Sequence, residues 1–92
     1  MTTKTQASTG DMSGASVPAQ LQVNVVGAWK TVLAFDAGDV FAAENVQQGA
    51  RLLFEAAPGT SWRIATREGR PQVLSHLGQN TYGIWIARKA RM

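Results

Sequence analysis

The chain has 92 residues, a length that suits one small domain and excludes a two-domain enzyme with a cleft between lobes. Apolar residues make up 45% and charged residues 16%, which excludes a wholly disordered chain. Nine Lys and Arg against six Asp and Glu give a net charge of +3, and most of the excess lies in residues 62–92. The absence of cysteine excludes disulfides, thiolate nucleophiles and cysteine-ligated metal sites.

The composition also bears on location. No apolar run approaches the roughly 20 residues of a membrane span, and the N-terminus lacks the apolar core of a signal peptide. We therefore expect a soluble protein made in the cytoplasm, with no membrane partner.

Residues 1–20 are dominated by Thr, Ser, Gly, Ala and Gln, and Val17 is their one bulky branched apolar residue. Such a segment buries too little surface to offset the entropy lost on ordering. We predict a flexible polar arm, and we expect Pro18 to mark its boundary with the domain. Two interpretations stay open: a passive disordered terminus, or an arm that orders against a neighbouring subunit.

Two strands are predicted next. Apolar and polar side chains alternate from Leu21 to Val25, as in a half-buried strand. Gly27-Ala28 suits a two-residue hairpin turn, although one long bent strand with a bulge at Gly27 would also fit. In the second strand we expect these side chains to share the core face: Trp29, Thr31, Leu33 and Phe35.

A helix is predicted between Asp36 and Pro58-Gly59. Asp36 and Asp39 favour a helix start, through side-chain capping and the helix dipole. Apolar residues at steps of three and four form the predicted core-facing stripe: Ala43, Val46, Ala50, Leu53 and Ala57. Phe41 and Phe54 are expected to flank this stripe.

The last third predicts three short strands, at Ser61–Arg67, Gln72–Leu77 and Tyr82–Ala87, joined by turns rich in Gly, Pro and Asn. Alternation in these strands gives one apolar face, to which Trp62 belongs. The opposite face would carry arginines and one tryptophan: Arg63, Arg67 and Trp85.

The element order β-β-α-β-β-β predicts an α+β fold, a small mainly antiparallel sheet with one helix packed on one face. The predicted domains are the arm at 1–20 and a single α+β domain at 21–92, which ends in a short basic tail. The second face of the sheet stays open. A core of this size is marginal in isolation, which points towards assembly.

Residues that could carry chemistry are few. His76 is the only histidine, and the sequence offers no nucleophile-elbow motif to accompany it. Asp36, Asp39 and Glu44 could form a carboxylate cluster, but capping accounts for the aspartates. Glycine-rich phosphate loops, a second helix for a helix-turn-helix and zinc-finger cysteines are missing. We therefore expect no catalytic residue, no cofactor, no metal site and no enzymatic activity.

Together with the Ala/Ser/Thr/Gln-rich arm, the segments WKTVLAFDAGD and SWRIATREGRPQVL resemble small accessory proteins of bacteriophage particles. Capsid decoration and head-stabilising proteins of that class commonly combine an extended arm with a small β-rich domain. The resemblance therefore implies a structural component of a phage particle, located in the virion.

The sequence thus favours a non-enzymatic structural protein that self-associates and docks on a larger protein assembly, which the resemblance above implies is a phage virion. Outside a phage context we expect it in the cytoplasm. The candidate partner-binding residues are Val32, Arg63, Arg67, Arg70, Trp85, Arg88, Lys89 and Arg91.

Two alternatives stay open. A small nucleic-acid-binding module would use the basic side chains of the last third with Trp85 as the stacking group. A host-directed regulator or inhibitor from a mobile element would fit the size and the charge distribution equally well.

Overall fold

The computed structural model describes residues 16–88, so most of the predicted arm and the tail residues Lys89 and Arg91 lie outside the described residues. The elements are β1 Pro18–Val25, β2 Ala28–Asp36, α1 Val40–Ala56, β3 Trp62–Thr66, β4 Val73–Leu77 and β5 Ile86–Ala87. The sheet has the strand order β2-β1-β3-β4-β5, and each neighbouring pair is antiparallel. The predicted α+β fold with one helix on one face of the sheet is confirmed.

The first hairpin turns one residue earlier than predicted. Its two turn residues are Val26 and Gly27, with φ of 51° and 82°. A two-residue hairpin turn with positive φ at both positions matches the twist of the flanking strands. The Asn24 side-chain oxygen accepts a hydrogen bond from the Gly27 amide at 3.1 Å and supports the turn. β1 begins at Pro18, so residues 18–20 belong to the sheet and not to the arm.

A β-bulge follows in β2. Gln22 pairs with Thr31 but Leu21 pairs with Leu33, so Val32 is an extra residue without a partner on β1. A bulge of this kind shifts the register by one residue and exchanges the two faces of the strand beyond it.

The bulge decides which side of the sheet each β2 side chain occupies. Leu33 and Phe35 lie on the helix side, as predicted, and Phe35 packs against the core. Trp29 and Thr31 lie on the opposite side, because they pair with Asn24 and Gln22. The predicted core position of Trp29 is therefore wrong, and its indole belongs to the open face of the sheet.

The helix lies on the sheet along a narrow stripe. Ala50 and Phe54 are buried and Val46 packs beside them, whereas Leu53 is half exposed and Phe41 is 78% exposed. The predicted stripe is thus rotated towards Phe54, and the flanking position predicted for Phe41 is wrong. Within residues 16–88, eight apolar residues are buried in the core: Ala19, Leu21, Ala50, Phe54, Trp62, Ile64, Ala65 and Leu77.

Asp39 caps the helix N-terminus, where its carboxylate accepts hydrogen bonds from the amides of Phe41 and Ala42 at 3.0 and 3.2 Å. We expect Asp39→Ala to lower the free energy of unfolding by about 1 kcal/mol, because both amides lose their partner. Urea unfolding followed by circular dichroism measures the change. Asp39→Asn, which keeps the capping oxygen, should retain most of the stability; an equal loss in both variants would contradict the capping role.

The last strand is much shorter than predicted. A single 3-10 turn at Gln79–Thr81 is followed by Tyr82 and Gly83, both with positive φ, so the predicted strand Tyr82–Ala87 is regular only at Ile86–Ala87. Trp85 packs against the core, and its indole N–H donates to the Gln47 carbonyl of α1 at 2.8 Å. The predicted place of Trp85 on the open face is wrong.

Candidate functional site

The face of the sheet opposite α1, here called the open face, carries one row of side chains that crosses all five strands. Each member pairs directly with the next across the sheet: Thr31, Gln22, Arg63, His76 and Ile86. Direct cross-strand partners project from the same face, so the row spans about 19 Å at roughly 4.8 Å per strand. The row begins with two neutral polar side chains, has the cationic Arg63 at its centre and ends with the apolar Ile86. None of its members is a carboxylate.

Arg63 and Trp29 form a stacked pair on this face. The guanidinium carbon of Arg63 lies over the indole of Trp29, 4.2 Å from the ring centroid. The Arg63 Nε–H also donates to the Gln22 side-chain oxygen at 2.7 Å. Burial lowers the pKa of Arg63 from its usual value, yet a guanidinium stays cationic at neutral pH. The open face therefore presents a fixed positive charge beside an aromatic ring.

A chain of hydrogen bonds holds Gln22, and through it Arg63. The Thr31 hydroxyl donates to the Gln20 side-chain oxygen at 2.7 Å, and the Gln20 amide donates to the Thr66 carbonyl at 3.0 Å. The Gln22 amide donates to the Thr31 hydroxyl at 3.4 Å. Because each amide has a partner, the Gln22 oxygen is oriented towards Arg63 before any ligand arrives.

Next to the stacked pair the face forms a concavity of about 280 Å³. Its size is near the lower end for small-molecule sites. Arg88 reaches it from the end of β5, where its backbone amide donates to the Leu74 carbonyl at 2.8 Å. The residues that line this open-face concavity are Trp29, Ser61, Trp62, Arg63, Val73, His76, Leu77, Asn80 and Arg88.

The five carboxylates of residues 16–88 all lie away from the open-face concavity. Two aspartates accept hydrogen bonds from backbone amides at the ends of elements, two glutamates lie on α1, and one glutamate accepts from the Thr66 hydroxyl: Asp36, Asp39, Glu44, Glu55 and Glu68. None of them lines the open-face concavity. The site is therefore electropositive, and an anion is the ligand it favours.

The structure brings only some of the predicted site residues together. Arg63 and Arg88 line the open-face concavity, whereas Arg67 follows the end of β3 and Arg70 lies in the turn before β4, both exposed and outside it. Val32 is exposed at the bulge of the β2 edge strand. Lys89 and Arg91 lie outside the described residues, and Trp85 is on the helix side.

Sequence reasoning missed Trp29 and His76. Alternation without the bulge predicts Trp29 in the core, and a single histidine on a predicted strand does not by itself indicate a binding site. The signal for His76 was its position one strand from Arg63, which depends on the β3 to β4 register.

A second feature is the outer side of α1. Phe41 and Leu52 are 78% and 63% exposed and lie within about 20° of one another on the helix side that faces away from the sheet. We call this pair, with Asn45 and Gln48 between them, the helix crest. Tyr82 and Ile84 add further exposed apolar surface in the loop before β5.

Across residues 16–88, no group of three or more His, Cys, Asp or Glu side chains is placed to hold a metal ion. In the same part of the chain, no helix has both the length and the apolar character that a membrane crossing requires. Comparison with protein-family models, with curated proteins and with solved structures finds no match to this chain.

Proposed function

We propose that this protein is a non-enzymatic structural subunit that associates with a second copy of itself through the helix crest and, in that form, docks on a larger protein assembly. The supporting observation is the distribution of apolar side chains. Twelve large apolar side chains are exposed within residues 16–88, whereas only five are buried: Leu21, Phe54, Trp62, Ile64 and Leu77. A single small core with that much apolar surface is typical of a chain that is stable in association.

The spacing along the helix crest suits a two-fold pairing. Phe41 and Leu52 lie eleven positions apart, about 16 Å along α1. If two copies of α1 pack antiparallel, Phe41 of each copy meets Leu52 of the other. The polar residues Asn45 and Gln48 then face one another at the centre, where their side-chain amides can hydrogen-bond.

The charges beside the crest fit the same arrangement. Glu44 and Arg51 are seven positions apart, two helical turns, and therefore lie on the same flank of α1. In a two-fold antiparallel pair, this flank of one helix lies beside the same flank of the other helix. Glu44 of each chain therefore approaches Arg51 of its partner, which gives two symmetric contacts. Arg51 already pairs with Glu55 at 3.4 Å, so it would join a network of both signs. This complementarity favours a second copy as the occupant of the crest.

Replacing the crest residues tests the proposal. For the double variant Phe41→Ser/Leu52→Ser we expect the dimer dissociation constant to rise at least about a hundredfold, since burying each side chain contributes roughly 1.5–3 kcal/mol. Sedimentation velocity over a dilution series of the full chain measures it. Both residues are exposed in the single chain, so circular dichroism should show an unchanged fold.

Val32→Ser is the matched control. It removes an apolar side chain that is also exposed, but from the β2 edge, where the sheets of two copies would pair. We expect this variant to dimerise like the unmodified chain. A chain that is monomeric at all concentrations, or a dimer broken by Val32→Ser and kept by the double variant, would overturn the crest as the interface.

We propose a phage virion as the larger assembly. Its support is the resemblance to phage accessory proteins, together with the polar arm, which we propose orders on a neighbouring subunit. Particles purified from the source should contain the chain in stoichiometric amounts, and the double variant should be depleted from them. Particles that lack the chain would contradict the proposed location in a virion. The sedimentation experiment would still test self-association separately.

A further inference from the structure

The open face carries two guanidinium groups, Arg63 and Arg88, that line the concavity without a carboxylate beside them. Within residues 16–88, the one ion pair is Arg51 with Glu55, on α1. Arg63 is half-buried, and among the described residues its charge is compensated by the Gln22 oxygen and the Trp29 ring. A partly desolvated cation of this kind gains more from an anion than a fully hydrated one does.

The stacking of Arg63 on Trp29 narrows the class of anion. Stacked guanidinium and indole groups offer a flat surface on which an unpaired nucleobase can extend the stack. The Arg63 Nε–H is already engaged by Gln22, which leaves its two terminal nitrogens for a ligand oxygen. A ligand that combines a flat aromatic group with a nearby negative charge would use both partners.

Neutral hydrogen-bonding groups surround this pair. His76 is the cross-strand neighbour of Arg63, and Ser61 and Asn80 line the same concavity. Hydroxyl and amide groups can bond to the edges of any base, so they add affinity without demanding one sequence. At about 280 Å³ the concavity suits a group of nucleotide size and has no room for a duplex.

From these observations we infer that the open face binds an unpaired nucleic-acid strand. Trp29 stacks on a base, and Arg63 and Arg88 contact the phosphates beside it. This site lies across the sheet from the helix crest, so it goes beyond the proposed self-association and does not depend on it. An acidic peptide is the less favoured ligand, because it would use the guanidinium groups and gain nothing from the stacking surface of Trp29.

Fluorescence anisotropy of the full chain with a labelled oligo-dT of about twelve nucleotides tests the inference. We expect binding that weakens about 7- to 20-fold between roughly 50 and 200 mM salt, the result of neutralising two or three phosphates of a single strand. A duplex of the same length should bind more weakly. Tryptophan emission should fall as the oligonucleotide binds, because Trp29 lies at the site.

Matched variants distinguish binding at the concavity from non-specific attraction of the oligonucleotide to the positive charge of the chain. Arg63→Gln and Arg67→Gln each remove one charge, four positions apart, but only Arg63 lines the concavity. We expect Arg63→Gln to weaken binding about tenfold or more and Arg67→Gln to weaken it less than about threefold. Trp29→Leu should weaken binding about 5- to 150-fold, the value of one stacked base.

Arg63→Gln also breaks the bond to Gln22, so Arg88→Gln serves as a second variant. Arg88 is exposed, and we expect its substitution to weaken binding about fivefold with no change in the fold. The crest variant Phe41→Ser/Leu52→Ser should bind the oligonucleotide normally, which keeps a failure of this inference separate from a failure of the proposed dimer.

Three results would overturn the inference. One is the absence of binding to oligo-dT at low salt, and another is an equal loss of affinity in Arg63→Gln and Arg67→Gln. The third is displacement of the oligonucleotide by polyglutamate combined with unchanged binding by Trp29→Leu, which would assign the site to an acidic protein.

Discussion

Leu77→Ala should remove about 2–5 kcal/mol from the free energy of unfolding, a large share of the stability of so small a domain. Leu77 is 1% exposed on β4, where it pairs across the sheet with the buried Trp62. Because only five large apolar side chains are buried within residues 16–88, few neighbours can move to fill the space. Urea unfolding followed by tryptophan fluorescence measures the loss.

Leu52→Ala removes the same atoms from a side chain that is 63% exposed. At low protein concentration, where the proposed dimer dissociates, it should change the free energy of unfolding by less than about 0.5 kcal/mol. At high concentration it should lower stability further, because the dimer no longer contributes. Similar losses for Leu77→Ala and Leu52→Ala at low concentration would contradict the buried core described above.

Local signals were enough to predict the type and order of the helix and the five strands. The stop at Pro58 is found as predicted, but α1 begins at Val40 with Asp39 as its N-cap and not directly after Asp36, which ends β2. The alternation in Trp62–Thr66 assigns β3 and both of its faces. These patterns depend on neighbours a few residues apart, so the chain carries them without reference to the rest of the fold.

Register in the first hairpin could not be predicted. The turn lies at Val26-Gly27 and not at Gly27-Ala28, and the bulge at Val32 shifts the pairing again. Moving the turn by one residue shifts the pairing by two and leaves the faces of β2 unchanged, whereas the bulge shifts the pairing by one and places the residues before and after it on opposite faces. Trp29 therefore moves to the open face. Nothing in the local pattern marks a bulge, because its position is set by pairing with β1.

The candidate site was predicted only in part for the same reason. Arg63 and Arg88 were identified from charge and alternation within the last third. Trp29 and His76 join them through the order β2-β1-β3-β4, which brings residues distant in sequence side by side. A charge pattern shows which residues can bind an anion, but strand order decides which aromatic group accompanies them.

Trp85 illustrates the error of applying alternation where the strand is not regular. The 3-10 turn and the left-handed residues Tyr82 and Gly83 precede it, and Ile86 pairs with His76 on the open face. Trp85, one residue earlier, is therefore on the helix side, the reverse of the predicted assignment. Gly83 also packs so close to Phe54 that an added Cβ would lie 3.2 Å from that ring.

Trp85→Ala and Trp29→Ala form a matched pair that separates the two sides of the sheet. We expect Trp85→Ala to lower the free energy of unfolding by about 2–4 kcal/mol, because it empties a packed site on α1 and removes the bond to the Gln47 carbonyl. Trp29→Ala should cost about 1 kcal/mol, since it loses mainly its contact with Arg63. Urea unfolding of both variants gives the comparison.

Oligonucleotide titration of the same two variants supplies an independent readout. Trp29→Ala should lose most of the fluorescence quenching that accompanies binding, whereas folded Trp85→Ala should keep it, because its remaining indoles include Trp29 at the site. Trp85→Phe, which keeps an aromatic ring at the packed site but loses part of the indole volume and its N–H, should recover part of the lost stability. If Trp85→Ala were as stable as the unmodified chain and its tryptophan fluorescence were no longer quenched by the oligonucleotide, Trp85 would lie on the open face and the assignment to the helix side would be wrong.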